Sequence, residues 1–249
     1  MAILTIQKHI EDHAPVELTF AQVGAGGPLS DDFLVPLLMA HPAWRGIFIE
    51  PLGRVVEKLE AQYQGKYTIK QCAVSNFTRK APFYYFATDA AQRLNDMIAG
   101  SHYIDQEQLD MFGSCNKEHA AECFQWKDAA GAKISYVTEI LMNEGIWLEK
   151  EIEFDTLGNL LDAHDLNPQL LIVDTEGTDL RILRDLDYSK YDLEILVYEH
   201  TWAAEENRDE MEEFLRDPER GYEKPSYYKG TGGQRCDERG EADNTLTFR

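Results

Sequence analysis

The sequence predicts an α/β protein whose mostly parallel sheet carries helices on both faces. Three observations lead there. Short apolar runs of strand length recur along the chain, helical periodicity lies between several of them, and the runs end in glycine or acidic residues. Open parallel sheets bind ligands at such strand ends. With 249 residues, 43% of them hydrophobic and 11% aromatic, the chain can bury a core, which argues against disorder. One domain over 1–249 is expected.

The elements follow in order. Leu18 to Val23 is the first strand, and Asp32 to Ala40 a helix capped by Asp31 or Asp32. Gly46 to Glu50 (GIFIE) is the second strand. Leu52, Val55, Val56, Leu59 and Tyr63 then share one helical face. Tyr67 to Val74 and Pro82 to Phe86 are further strands. From Thr88 to Lys150 the rhythm breaks into mixed polarity with scattered aromatics. A mainly helical insertion at 88–150, covering the substrate site, is expected rather than a long bare loop. Gln169 to Asp174 and Leu193 to Glu199 are strands flanking the helical run Leu180, Leu183, Leu186. Asp209 to Leu215 reads as an acidic surface helix. Gly221 to Tyr228 and Asn244 to Phe248 read as a terminal strand pair, with Gly230 to Gly240 as its loop.

Charge narrows the partners. With 24 Lys plus Arg against 45 Asp plus Glu, the net charge is −21, which repels nucleic acid and anionic membrane surfaces. No apolar run approaches the roughly 20 residues of a membrane span, and Met1 to Ile10 is too short an apolar stretch for a secretory leader. Four cysteines (Cys72, Cys115, Cys123, Cys236) make no disulfide scaffold. A cytoplasmic protein acting on a small-molecule acceptor is expected, with the oligomeric state open.

Four motifs carry chemistry. AQVGAGGPLSDD (21–32) places Gly24, Gly26 and Gly27 after the first strand, where backbone amides can approach a ligand; a plain glycine turn also accounts for it. Glu50 ends the second strand, 26 positions after Gly24, where an acid binds ribose hydroxyls in nucleotide-binding α/β folds; an exposed strand-end acid is the alternative. In LLIVDTEGTDLRIL, a buried strand runs into Asp174, Glu176 and Asp179; capping by Thr178 or Asp179 explains one acid, not three. In VYEHTW, Glu199 and His200 end another strand, and His200 suits a general base or a structural histidine held by Glu199.

These motifs resemble the FkbM-type S-adenosylmethionine-dependent methyltransferases. The resemblance runs through QVGAGG (22–27), DFLVPL (32–37), HPAWRGIFIEP (41–51), CAVSN (72–76), LLIVDTEGTD (170–179), LRDLD (183–187), VYEH (197–200) and DNTLTF (243–248). It covers roughly residues 18 to 87 and 151 to 249. It implies the class I methyltransferase fold, a Rossmann-like three-layer sandwich. Its seven strands have the order 3-2-1-4-5-7-6 with the last strand antiparallel. It also implies S-adenosylmethionine as cofactor and a hydroxyl as methyl acceptor. By position, Gly24, Ala25 and Gly26 approach the methionine part, and Glu50 takes the ribose hydroxyls. Pro51 and Leu52 flank the adenine, Ala73 and Val74 shape its slot, and Asp174 and Glu176 stand near the reacting methyl group. The family's usual Asn and Asp after the first glycines are replaced by Gly26, Gly27 and Pro28; Asp32, which matches a family Asp, is expected to compensate.

The catalytic expectation is His200 as general base, oriented by Glu199 or Asp174. Asp174, Glu176, Glu199 and His200 are also hard ligands for a divalent ion, but carboxylates facing a sulfonium need no metal, and none is assigned. Cys115, His119 and Cys123 would line one stripe of a continuous helix. Without a CxxC knuckle they read as two buried cysteines flanking an exposed histidine, not as a zinc site. An NAD-linked oxidoreductase would use the same glycines and Glu50, and a cofactor-binding module without catalysis is the non-enzymatic alternative.

Overall fold

Val, Ile, Leu and Phe fill the strand runs, and a strand that is apolar on both sides must be covered on both sides. A computed structural model shows how. It describes residues 5–26, 33–98, 104–120, 137–199, 205–218, 220–223, 225–229, 234–236 and 244–249. The chain divides into two compact units, residues 1–78 with 154–249, and residues 79–153.

The first unit begins with α1 (Ile6–His13), capped by the Thr5 side chain, followed by β1 (Thr19–Val23) and α2 (Leu34–Ala40). Next come β2 (Arg45–Glu50), α3 (Gly53–Tyr63), β3 (Thr68–Gln71) and the two-residue β4 (Ala73–Val74). The second unit holds β5 (Arg79–Phe86), α4 (Ala90–Ile98), α5 (Gln106–Met111), α6 (Val137–Asn143) and most of β6 (Trp147–Asp155). The chain then resumes in the first unit with α7 (Leu157–Ala163), β7 (Leu170–Val173), α8 (Asp179–Asp185), β8 (Ile195–Glu199) and α9 (Glu205–Arg216). It closes with β9 (Ser226–Lys229), β10 (Gln234–Cys236) and β11 (Asn244–Phe248).

The main sheet has the order β10-β9-β11-β8-β7-β1-β2-β3. β1, β2, β3, β7 and β8 are parallel, while β11 is antiparallel to both of its neighbours, β8 and β9. Setting aside the edge strand β10, this is the 3-2-1-4-5-7-6 order with an antiparallel last strand that the methyltransferase resemblance implied. A dinucleotide-binding sheet runs 3-2-1-4-5-6 without that inserted strand, so the topology departs from the oxidoreductase alternative.

Alternation along the strands sorts the core. Ala21 and Val23, Ile47 and Ile49, Leu171 and Val173, and Leu196 and Tyr198 face one layer with Leu157, Leu160, Leu161, Ile182 and Leu183 from α7 and α8. Across the sheet, Phe20 and Phe48 meet Tyr67, and Phe48 stacks on Tyr63 of α3.

Several expectations need correction. Tyr67 to Val74 is not one strand: the chain leaves the main sheet after Gln71, Cys72 N–H donates to the Glu50 carbonyl, and Ala73–Val74 pair with Phe154–Asp155 instead. β6 lies where no strand was expected at its start, because its charged alternation hides the pleat. The loop expected at 230–240 contains β10, which pairs antiparallel with β9. The expected caps Asp31 and Asp32 lie outside the described residues. In the second unit, Ser114 bridges Tyr84, and Cys115 therefore precedes the helical turn that contains His119 rather than sharing a helix with it. His119 is fully buried, not exposed; Cys123 lies outside the described residues.

A polar knot joins the end of β6 to α7. Asp155 Oδ1 accepts hydrogen bonds from Thr78 Oγ1 (2.7 Å), Asn159 Nδ2 (2.7 Å) and the Thr156 amide (2.8 Å). Partial desolvation pushes this carboxyl up, but the three hydrogen bonds outweigh it and hold it below the usual value. A depressed folded-state pKa contributes stability above the ordinary carboxylate range and loses it as pH falls through the folded value. Asp155→Ala is therefore expected to lower the urea midpoint at neutral pH, with the wild-type and variant curves converging in acid. A gap that persists unchanged at low pH would contradict this account.

Candidate active site

The site assembles at the carboxyl ends of the central parallel strands β1, β2, β7 and β8. At the end of β1 the chain turns through Gly24, with φ +75°, and Gly26, with φ +57°. Gly24 N–H donates to the Ile49 carbonyl (2.9 Å), and Asp174 N–H donates to the Val23 carbonyl (2.9 Å). These bonds hold three strand ends together. A Cβ at Gly24 would sit 1.6 Å from the Asp174 carbonyl oxygen, so only glycine permits this approach.

Glu50 ends β2 and is 4% exposed. Its carboxylate accepts from Gly26 N–H at Oε2 (3.2 Å) and from Leu52 N–H at Oε1 (2.9 Å). The two backbone amides fix the carboxylate between the glycine turn and the start of α3. A carboxylate oxygen has two lone-pair sites, so neither bond exhausts it. Thus Gly26, Glu50 and Leu52 are brought together, with Ala25 and Leu52 buried and Pro51 half-buried. Ala73 and Val74 are buried at β4, and Val74 packs in the core layer with Val23, Ile49 and Val173. Asp32 and His200 lie outside the described residues.

The second half of the site is acidic. Asp174 follows β7, Glu176 occupies a left-handed bend (φ +54°) before Gly177 (φ +106°), and Glu199 closes β8. One carboxylate oxygen from each of Asp174, Glu176 and Glu199 lies within 4.8 Å of the others. Desolvation, followed by the neighbouring charges of Asp174, Glu176 and Asp179, holds the Glu199 carboxyl well above its usual value, and Glu199 also hydrogen bonds to Asp174.

Asp179 has a role that the sequence did not reveal. It does not cap α8 as an N-cap; Thr178 holds that position without a side-chain capping bond. Instead, Asp179 Oδ2 accepts from Thr175 N–H (3.1 Å) and Thr175 Oγ1 (2.6 Å), while Oδ1 accepts from Glu199 N–H (3.3 Å). Buried beside Asp174, its carboxyl is pushed up to about 7, desolvation being the larger cause. Asp179 ties the turn after β7 to the end of β8. Its spacing from Thr175 gave no signal of this, because the partner on β8 is 20 residues away.

The comparisons with known proteins are sparse. No protein-family model matches the chain, and no curated protein matches it. Among solved structures, the chain is similar to the precorrin-6y C5,15-methyltransferase of Geobacter metallireducens. The identity is 10% and the TM-score 0.39, over 94% of this chain and 80% of that one. No helix among the described residues is long and apolar enough to cross a membrane. The fold assignment rests on strand order and register, and at these strand ends the sheet presents a glycine turn, a fixed carboxylate and an acidic cluster.

Proposed function

We propose that the protein is an S-adenosylmethionine-dependent methyltransferase acting on a hydroxyl of a small-molecule acceptor, of the FkbM type that its motifs resemble. One observation carries the reading: Glu50 is held at the end of β2 by the Gly26 and Leu52 amides, beside the glycine turn, in a sheet of methyltransferase strand order. The site chemistry fits the cofactor. A carboxylate fixed at this strand end suits a vicinal ribose diol. The close Gly24–Asp174 approach excludes a side chain at position 24.

In this reading Gly24, Ala25 and Gly26 bound the methionine part, with Asp32 toward its polar end and Asp174 and Glu176 near the reacting methyl group. Pro51, Leu52, Ala73 and Val74 bound the adenine. The cofactor, when bound, supplies a methyl carbon made electrophilic by its sulfonium. The chain's own task is to orient the acceptor oxygen in line and to take its proton. His200 Nδ1 or Nε2 is the base, and Glu199 or Asp174 orients its ring. The acidic rim of Asp174 and Glu176 favours a cationic reacting centre.

Transfer of isotope-labelled methyl from the cofactor to a panel of sugars and hydroxylated metabolites tests the reading. Labelled ether product is expected, with single-turnover transfer slowed at least about a hundredfold in His200→Ala. Cofactor binding without transfer to any acceptor would instead favour the non-catalytic module. Near-normal turnover in His200→Ala would remove the histidine from its role.

A further inference from the structure

The turn from β2 into α3 carries the Glu50 carboxylate at its start and Pro51 and Leu52 within it. Leu52 is the N-cap of α3, but its side chain makes no capping bond. The turn is braced from β3 instead, at the end of the main sheet. Gln71 is the last residue of β3 and stands in register with Glu50. Its side chain folds back over the turn, and Nε2 donates to the Pro51 carbonyl (3.2 Å). One residue on, Cys72 N–H donates to the Glu50 carbonyl (3.2 Å). Two successive carbonyls are thus held from the neighbouring strand. Gly53 adds an independent observation. It opens α3, and its φ lies outside the left-handed region, so the backbone does not demand glycine there. A Cβ at Gly53 would lie 3.1 Å from Gln71 Nε2. The missing side chain leaves the room that the Gln71 amide uses.

We propose that Gln71 is a positioning residue for the nucleoside end of the cofactor. Through the Pro51 carbonyl it fixes the turn whose Leu52 amide holds Glu50, and Gly53 is the residue that admits it. Gln71 is exposed. A hydrogen bond from an exposed side chain contributes little to folding, because it replaces a bond to water and costs rotamer freedom. Its effect is on direction. With the Pro51 carbonyl held, the Leu52 amide that follows keeps its aim at Glu50 Oε1 (2.9 Å). A carboxylate and a turn set before binding need not be ordered during it, which favours affinity. The inference rests on the methyltransferase reading and deepens it by adding a residue that touches neither ribose nor adenine in that reading.

The test measures binding and stability side by side and needs no acceptor. Full-length wild-type protein, Gln71→Ala, Gln71→Lys, Gly53→Ala and the Gln71→Ala/Gly53→Ala double variant are titrated with S-adenosylhomocysteine by calorimetry and melted. Gln71→Ala is expected to weaken binding about three- to tenfold, the range of one lost hydrogen bond, with a melting temperature within a degree or so of wild type. Gln71→Lys keeps a donor for the Pro51 carbonyl and should retain most of the affinity. Gly53→Ala should weaken binding by displacing the amide, yet leave the melting temperature unchanged or raised, since alanine favours a helix over glycine. In the double variant the second substitution should add nothing, because both act through one contact. Unchanged affinity in Gln71→Ala, or additive losses in the double variant, would overturn the inference. So would a melting temperature that falls in step with affinity, which marks an ordinary structural contact. Wild-type protein that binds no S-adenosylhomocysteine would sink the methyltransferase reading itself, and this inference with it.

Discussion

Glu50→Ala is expected to abolish measurable binding of S-adenosylmethionine while leaving the sheet assembled. Two hydrogen bonds from ribose hydroxyls to an ionised carboxylate contribute about 1.5–3 kcal/mol each, so losing both weakens binding by about a hundredfold or more. The variant also strips partners from two backbone donors, because Gly26 N–H and Leu52 N–H both bond to this side chain. That loosens the glycine turn and adds to the binding loss. Glu50→Gln separates the two effects. It keeps one carbonyl acceptor, so the turn is better preserved, but it loses the charge and one acceptor oxygen. Titration calorimetry on both variants should show alanine at or beyond detection and glutamine weakened. Wild-type affinity in Glu50→Ala would remove the ribose role.

The largest loss of stability is expected at Gly24. An alanine there meets the Asp174 carbonyl oxygen at 1.6 Å and its carbon at 2.7 Å, both of them backbone atoms that cannot swing aside. It must also hold φ +75°, which costs an L-residue about 1–2 kcal/mol before any clash. Relief requires β1 and β7 to part at their ends, at the expense of the bond from Asp174 N–H to the Val23 carbonyl. A total of about 3 kcal/mol or more follows, on the order of 10 °C in the melting temperature for a chain of this length. Cofactor binding should fail with it, since Asp174 moves. A melting temperature within a degree or so of wild type would show that the approach is not as close as described.

Much of this was legible in the sequence because it is local. Glu50 and the Gly24–Gly26 turn announce themselves by position after apolar strands, and the structure joins them by a direct hydrogen bond. The central strands were legible because both faces are buried and their apolar runs are continuous. What stayed hidden is non-local. β4 is two residues long, and its pairing with Phe154–Asp155 crosses about eighty positions of chain. α1 was passed over because eight residues, with Ile6 and Ile10 buried, carry too few turns to stand out. α7 was missed between two strands, although Leu157, Leu160 and Leu161 mark its buried face. His119 is buried a few residues after the Tyr84–Ser114 bridge, and no spacing of Cys and His reveals either. In the acidic cluster the residue types were readable. Their convergence within 4.8 Å depends on how β7 and β8 align in register.

The measurement that tests the central claim most directly is calorimetric titration of the wild-type protein with S-adenosylmethionine and with its demethylated product. The account predicts saturable one-to-one binding of both in the micromolar range, with no heat from NAD. A folded protein that binds neither, or that binds NAD instead, would contradict it.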